Sequence, residues 1–192
     1  MKSKLTLIAL FTLFFTPVLI AIFLHSGWVN WRAEPDKAHG ELVFPVVPLG
    51  EFKLRDAGGS VRSLDDLLGH WQLVFIAPRR CPADCLETAE LMHNIRLAQD
   101  RHASEVSLIL LSATDLDHAV FDRITALDHS WLVFDGGAGD KLIERMPGPA
   151  PGAFYIIDPE ANIMERFAPG VDLNGLRKDL DRLLTWTLRE PQ

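Results

Sequence analysis

Hydrophobic positions are continuous, not periodic, at the start of the chain: Leu5 to Leu24 reads LTLIALFTLFFTPVLIAIFL, without a charge. A helix packed on a soluble core would keep a polar face, and this run has none. Wound as a helix rising about 1.5 Å per residue, it spans roughly 30 Å, the thickness of a bilayer's hydrocarbon core. Beyond it the pattern breaks into short elements. Leu73–Ala77 (LVFIA), Val106–Leu111 (VSLILL) and Trp131–Phe134 are brief apolar runs of buried-strand type. Ala153–Ile157 and Ile163–Phe167 flank the turn DPEAN and predict an antiparallel hairpin. Helices are predicted from Ala83 to Asp100, from His118 to Ala126 and from Asp140 to Arg145. In a last helix Leu173, Leu176, Leu180, Leu183 and Leu184 form one stripe, and Asp172 is placed to cap it. Before the first strand, KLRDAGGSV (53–61) reads as a hairpin turning at Gly58-Gly59. Ser63-Leu-Asp-Asp66 reads as a capping box opening a short helix that ends near Gly69.

Strand–helix–strand–helix, then a hairpin and a helix, predicts an α/β sheet, parallel in its first half and antiparallel in its second. With a cysteine motif directly after the first central strand, the expectation is a thioredoxin-like fold, a central mixed sheet flanked by helices. One N-terminal transmembrane helix precedes it. The predicted organisation is a cytoplasmic stretch 1–4, an anchor 5–24, a Pro-containing polar linker 25–48 and an extracytoplasmic domain 49–190.

Charge orients the anchor. Lys2, Lys4 and the terminal amine precede the apolar run, and the next Lys or Arg is Arg32. That asymmetry predicts a single pass of the cytoplasmic membrane with the domain in the periplasm. Trp28 and Trp31 suit the outer interface. A cleaved signal would have a shorter apolar region and a small-x-small site, and HSGWVNWRAEP offers no good one. Setting aside Lys2 and Lys4 takes the net charge from -7 to -9. Nucleic acid is excluded as a partner on that ground, because an acidic domain repels phosphate.

The sequence holds two cysteines, Cys81 and Cys85. Cys81 follows a strand and a short loop at the expected start of a helix, where unpaired N–H groups favour a thiolate. Arg79 and Arg80 push its pKa the same way, and Pro82 suits the first helical position. Cys85 falls one turn later, so both sulfurs lie on one helix face, reachable by solvent, at a separation compatible with a disulfide. So short a loop contributes only about 2 kcal/mol in the chain-entropy account, which points to redox or metal-handling chemistry over a structural bond. Elsewhere the candidates read as structural. His129 in LDHSW should lie at the opposite end of the sheet from Cys81, His93 is more than two turns past Cys85, and His25 and His39 flank the linker as solvated residues. Met92 and Met164 read as core. Asp115, Asp117, Asp122 and Asp128 read as a solvated face without the Gly and Glu of a calcium loop.

LVFIAPRRCPADC and AFYIIDPEANIMERF together resemble the Sco/SenC family of copper-centre assembly proteins for cytochrome c oxidase, over roughly residues 44–188. The Cys-x-x-x-Cys spacing separates the chain from ordinary thioredoxins. The resemblance implies Cys81 and Cys85 as thiol ligands of Cu(I) and as the thiols that reduce a partner's cysteines. It implies a cytochrome c oxidase subunit, or another copper-site assembly factor, as partner. That family sets a copper-binding His before its late hairpin, and here PGPAPGAFYII puts Pro151 or Gly152 in that place. The resemblance further implies a cis-proline facing the cysteines, for which Pro151 is the candidate. Three functions follow: an assembly factor exchanging disulfides and handling copper, a general periplasmic thioredoxin-like reductase or peroxidase with Arg79 or Arg80 in support, and a scaffold keeping a relic disulfide.

Overall fold

The computed structural model describes residues 4, 12–16, 39–78 and 84–187. The chain divides into two units, residues 1–37 and 38–192. Of the first, residues 12–16 are helical. Most of the predicted anchor lies outside the described residues, and among those described no helix is long and apolar enough to cross a membrane.

In the second unit six strands form one mixed sheet. They are β1 (Glu41–Pro48), β4 (Trp71–Ile76), β5 (Val106–Leu111), β6 (Trp131–Phe134), β7 (Phe154–Ile157) and β8 (Asn162–Phe167), in the order β1-β8-β7-β4-β5-β6. The β4, β5 and β6 strands run parallel, while β7, β8 and β1 pair antiparallel, as the element order predicts. A separate hairpin, β2 (Lys53–Arg55) with β3 (Val61–Ser63), turns through Gly59 at φ +86°. Its connecting turn caps the far edge of the sheet, where the Ala57 N–H donates to the Val133 carbonyl at 2.8 Å.

Every residue of β4 is buried, and the pleat sends its side chains alternately to two cores. Leu73 and Phe75 meet α1 (Asp84–Leu97), α2 (His118–Leu127) and α4 (Leu173–Thr187). Val74 and Ile76 meet α3 (Gly136–Ile143), Phe52 and Met146 on the other face. Capping follows the sequence: Asp117 accepts from Ala119 N–H at 3.0 Å, Asp172 from Asn174 N–H at 3.1 Å, and Asp66 from Ser63 N–H at 2.6 Å.

Two predicted boundaries move. Residues 41–48, read as linker, form β1, because tertiary pairing with β8 outweighs the two prolines in ELVFPVVP. The α3 helix starts four residues early, at Gly136, through a glycine-rich turn of poor intrinsic propensity. Gly139 is required there: a Cβ would come within 2.0 Å of the Ser112 carbonyl oxygen and 2.6 Å of that of Phe134.

Candidate functional site

The site is built where β4 ends. Ala77 N–H donates to the Leu111 carbonyl at 2.8 Å, holding the last of β4 to β5, and Pro78 follows. Arg79, Arg80, Cys81 and Pro82 lie outside the described residues. The chain resumes at Asp84 as α1, and Cys85 stands in its first turn.

Cys85 has no solvent exposure and packs in the core with Ala89, Met92 and Leu86. This corrects the expectation that both sulfurs face solvent: the apolar stripe of α1 includes Cys85 itself. Cys85 is disulfide-bonded, and the sequence offers one other cysteine, Cys81, as its partner.

Opposite the cysteine segment lies the predicted proline loop. Ala150 to Ala153 make a turn closed by Ala153 N–H donating to the Ala150 carbonyl at 3.0 Å. Pro151 takes the second position and Gly152, at φ +86°, the third. That is the geometry of a type II turn, which seats a trans proline before a glycine. Pro151 is therefore not the expected cis-proline. Among the described residues the cis bond is Phe44–Pro45. The turn is nonetheless fixed beside the site, since Gly152 N–H donates to the Ile76 carbonyl at 2.8 Å and Ile76 N–H to that of Ala153 at 3.0 Å.

Between this turn, Pro78 and the first turns of α1 opens a cleft of about 290 Å³, lined by Phe75, Thr88, Phe154, Val171 and Leu173. Phe75 and Phe154 pack ring to ring at 4.8 Å on its floor. Of these side chains the sequence singles out only Leu173, and that as core. Their signal is weak, because Phe75, Phe154, Val171 and Leu173 are ordinary apolar residues and Thr88 is a lone hydroxyl on α1. The cleft offers apolar walls and one hydroxyl, that of Thr88 about one turn along α1 from Cys85, which suits an apolar ligand better than a polar metabolite.

The remaining candidates settle into structural roles. His129 precedes β6, at the end of the parallel strands remote from the β4 carboxyl end. His93 stands 3.2 Å from Asp128, which also binds Arg96 at 2.5 Å. Met92 is fully buried and Met164 packs on the same core. His39, expected to be solvated, is exposed, and its ring also reaches Asp179 of α4 at 3.2 Å. Among the described residues no group of three His, Cys, Asp or Glu is placed to hold a metal ion.

A family model described as transmembrane-like, thioredoxin-like, C-terminal domain matches residues 71–187. No curated protein sequence matches the chain. Among solved structures, yeast Sco1 with copper bound is similar at a TM-score of 0.58 and 15% identity, covering 77% of this chain and 96% of its own. BsSco, described as a member of the Sco family of cytochrome c oxidase assembly proteins with a disulfide switch, is similar at 0.57 and 14%, covering 76% and 97%. The thioredoxin domain of a thiol-disulfide oxidoreductase from Bacteroides vulgatus is similar at 0.50 and 17%, covering 71% and 95%. At these identities the likeness establishes the fold, a thioredoxin-like α/β sheet flanked by helices.

Proposed function

The chain belongs to the transmembrane-like, thioredoxin-like family, and from that premise we propose that it is a membrane-tethered thiol–disulfide factor assisting assembly of a respiratory cytochrome c oxidase. Cu(I) is its cargo, and the domain works on the periplasmic side. The observation that carries the reading is Cys85, disulfide-bonded and wholly buried in the first turn of α1, about one turn before Thr88, which lines an apolar cleft.

Burial divides the labour between the two sulfurs. Cys85 is out of reach of a second protein, so first attack falls to Cys81. In the reduced chain the Cys81 thiolate attacks a disulfide of the partner, forming a mixed disulfide and expelling one partner thiolate. The Cys85 thiolate then attacks the Cys81 sulfur, forming the intramolecular disulfide and expelling the second partner thiolate. Two electrons pass to the partner, whose thiolates take up protons from water. The same dithiol, deprotonated, is a soft donor pair for Cu(I), and the copper-bound state of yeast Sco1 supports that part of the reading.

Anaerobic Cu(I) titration of the reduced full chain in detergent, against a competing chelator, is the test. Stoichiometric binding that Cys81→Ser abolishes is expected. Absence of binding, with oxidase assembly unaffected in cells carrying Cys81→Ser and Cys85→Ser together, would sink both the copper and the thiol reading and leave a scaffold. A second reading, a general periplasmic reductase, draws on the apolar cleft and on the likeness to the Bacteroides oxidoreductase domain. It predicts rapid reduction of unrelated protein disulfides, which an oxidase-specific factor would not perform.

A further inference from the structure

Away from the cysteines, two carboxylates are buried where the N-terminal segment joins the domain. Glu165 on β8 has no exposure and Asp179 on α4 has 2%. Among the described residues neither oxygen of Glu165 has a hydrogen-bond donor. Arg182 serves both acids, its Nη2 lying 3.3 Å from Asp179 Oδ1 and 3.7 Å from Glu165 Oε1.

The cover over this pair is the start of the domain itself. His39 and Gly40 N–H groups donate to Asp179 Oδ2 at 2.5 and 3.1 Å, and the His39 ring nitrogen Nδ1 lies 3.2 Å from Oδ1. Two glycines let this stretch seat closely. A Cβ on Gly40 would come within 2.7 Å of the Phe167 ring, and one on Gly175 within 2.6 Å of the His39 ring. Leu42 then stands opposite Glu165 in the β1–β8 ladder, after which the register breaks until Val47. Residues 39–42 therefore form a strap, fastened to α4 and to β8, with an interrupted stretch behind it.

Among the described residues one guanidinium, that of Arg182, serves both acids, with the His39 ring beside Asp179 as the other potential cation. If both ionise while His39 is neutral, an uncompensated negative charge sits in a buried place, and a buried charge left without a partner is strongly unfavourable. Either a proton stays or the strap lifts to admit water. We propose that Glu165 and Asp179 form a proton-operated clasp: holding one proton between them the strap is shut, and losing it frees residues 39–46. The charged and titratable groups facing Glu165 are Asp179 and Arg182 from α4 and His39 from the strap. Burial, then the Asp179 charge, raises the Glu165 pKa to about 7 against the opposing pull of Arg182 and His39.

Opening lengthens the tether. Eight residues at about 3.3 Å each add up to roughly 25 Å of reach between the domain and whatever holds residues 1–38. This consequence rests on the apolar run being an anchor, but the clasp does not. The test reads the clasp alone, by amide hydrogen exchange on the full chain in detergent across neutral pH, corrected for intrinsic rates. Protection at His39 and Gly40 should fall about tenfold per pH unit above 7 while β4 stays protected, and Glu165→Gln should abolish that dependence. Flat protection in the unaltered chain, or the same transition in Glu165→Gln, would overturn the proposal. Should the variant not fold, carboxyl NMR titration of Glu165 in the unaltered chain decides: a midpoint near 7 supports the clasp, and one in the ordinary carboxylate range refutes it.

Discussion

At the residue scale, close approach and buried charge make the sharpest demands. Gly139 has backbone oxygens, which cannot swing aside, within 2.6 Å of a would-be Cβ. Gly139→Ala should therefore cost about 1–3 kcal/mol, read as a lower denaturant midpoint at unchanged slope. Gly137→Ala, two residues away with nothing within 4 Å, should instead stabilise by roughly 0.5–1 kcal/mol. Equal effects at the two positions would refute the packing argument. Glu165 makes a different prediction. Its pKa rises on folding from 4.5 to about 7, so the folded state binds the extra proton. That contribution, on the order of 3 kcal/mol, is fully present below pH 4.5 and is lost as pH rises through about 7. Denaturant melts of the unaltered chain should lose stability over that window, and Glu165→Gln should flatten the slope there.

At the element scale, most of the fold could be read from sequence, and the exceptions share a cause. Strands β4 and β5 announce themselves because both faces are covered and their runs are continuously apolar. Helix α4 is visible from its leucine stripe, and the Gly58-Gly59 hairpin from its turn residues. What the pattern hides is whatever tertiary partners impose. Strand β1 carries exposed Leu42, Phe44 and Val46 and two prolines, so no periodic signal separates it from linker. The α3 helix hides behind three glycines, of which Gly139 answers to a neighbour far away in sequence. Pro151 and Gly152 sit beside the β4 end, and the isomer depends on which turn position the proline takes. Cys85 shows the same limit. Spacing predicts it on one helix face with Cys81, and only the packed sheet shows that the Cys85 side chain itself is buried.

At the scale of the whole molecule, residues 1–37 and 38–192 are two units. The predicted topology has a direct check. Protease added to spheroplasts should cleave the domain from outside while leaving a tag ahead of Lys2 protected. Protection of the domain instead would reverse the orientation argued from Lys2 and Lys4 and would remove the cysteines from a periplasmic role.

The two margins of the sheet bear on how such a domain behaves among its own kind. Strand β1 carries Pro45 within an interrupted ladder, and the other margin is taken up by the turn at Ala57. Among the described residues, Pro45 and the break in its ladder keep β1 from offering a long flat row of amides for a neighbouring copy to extend. Copies of the domain would thus lack the ready template for filament growth, and high expression should leave them dispersed.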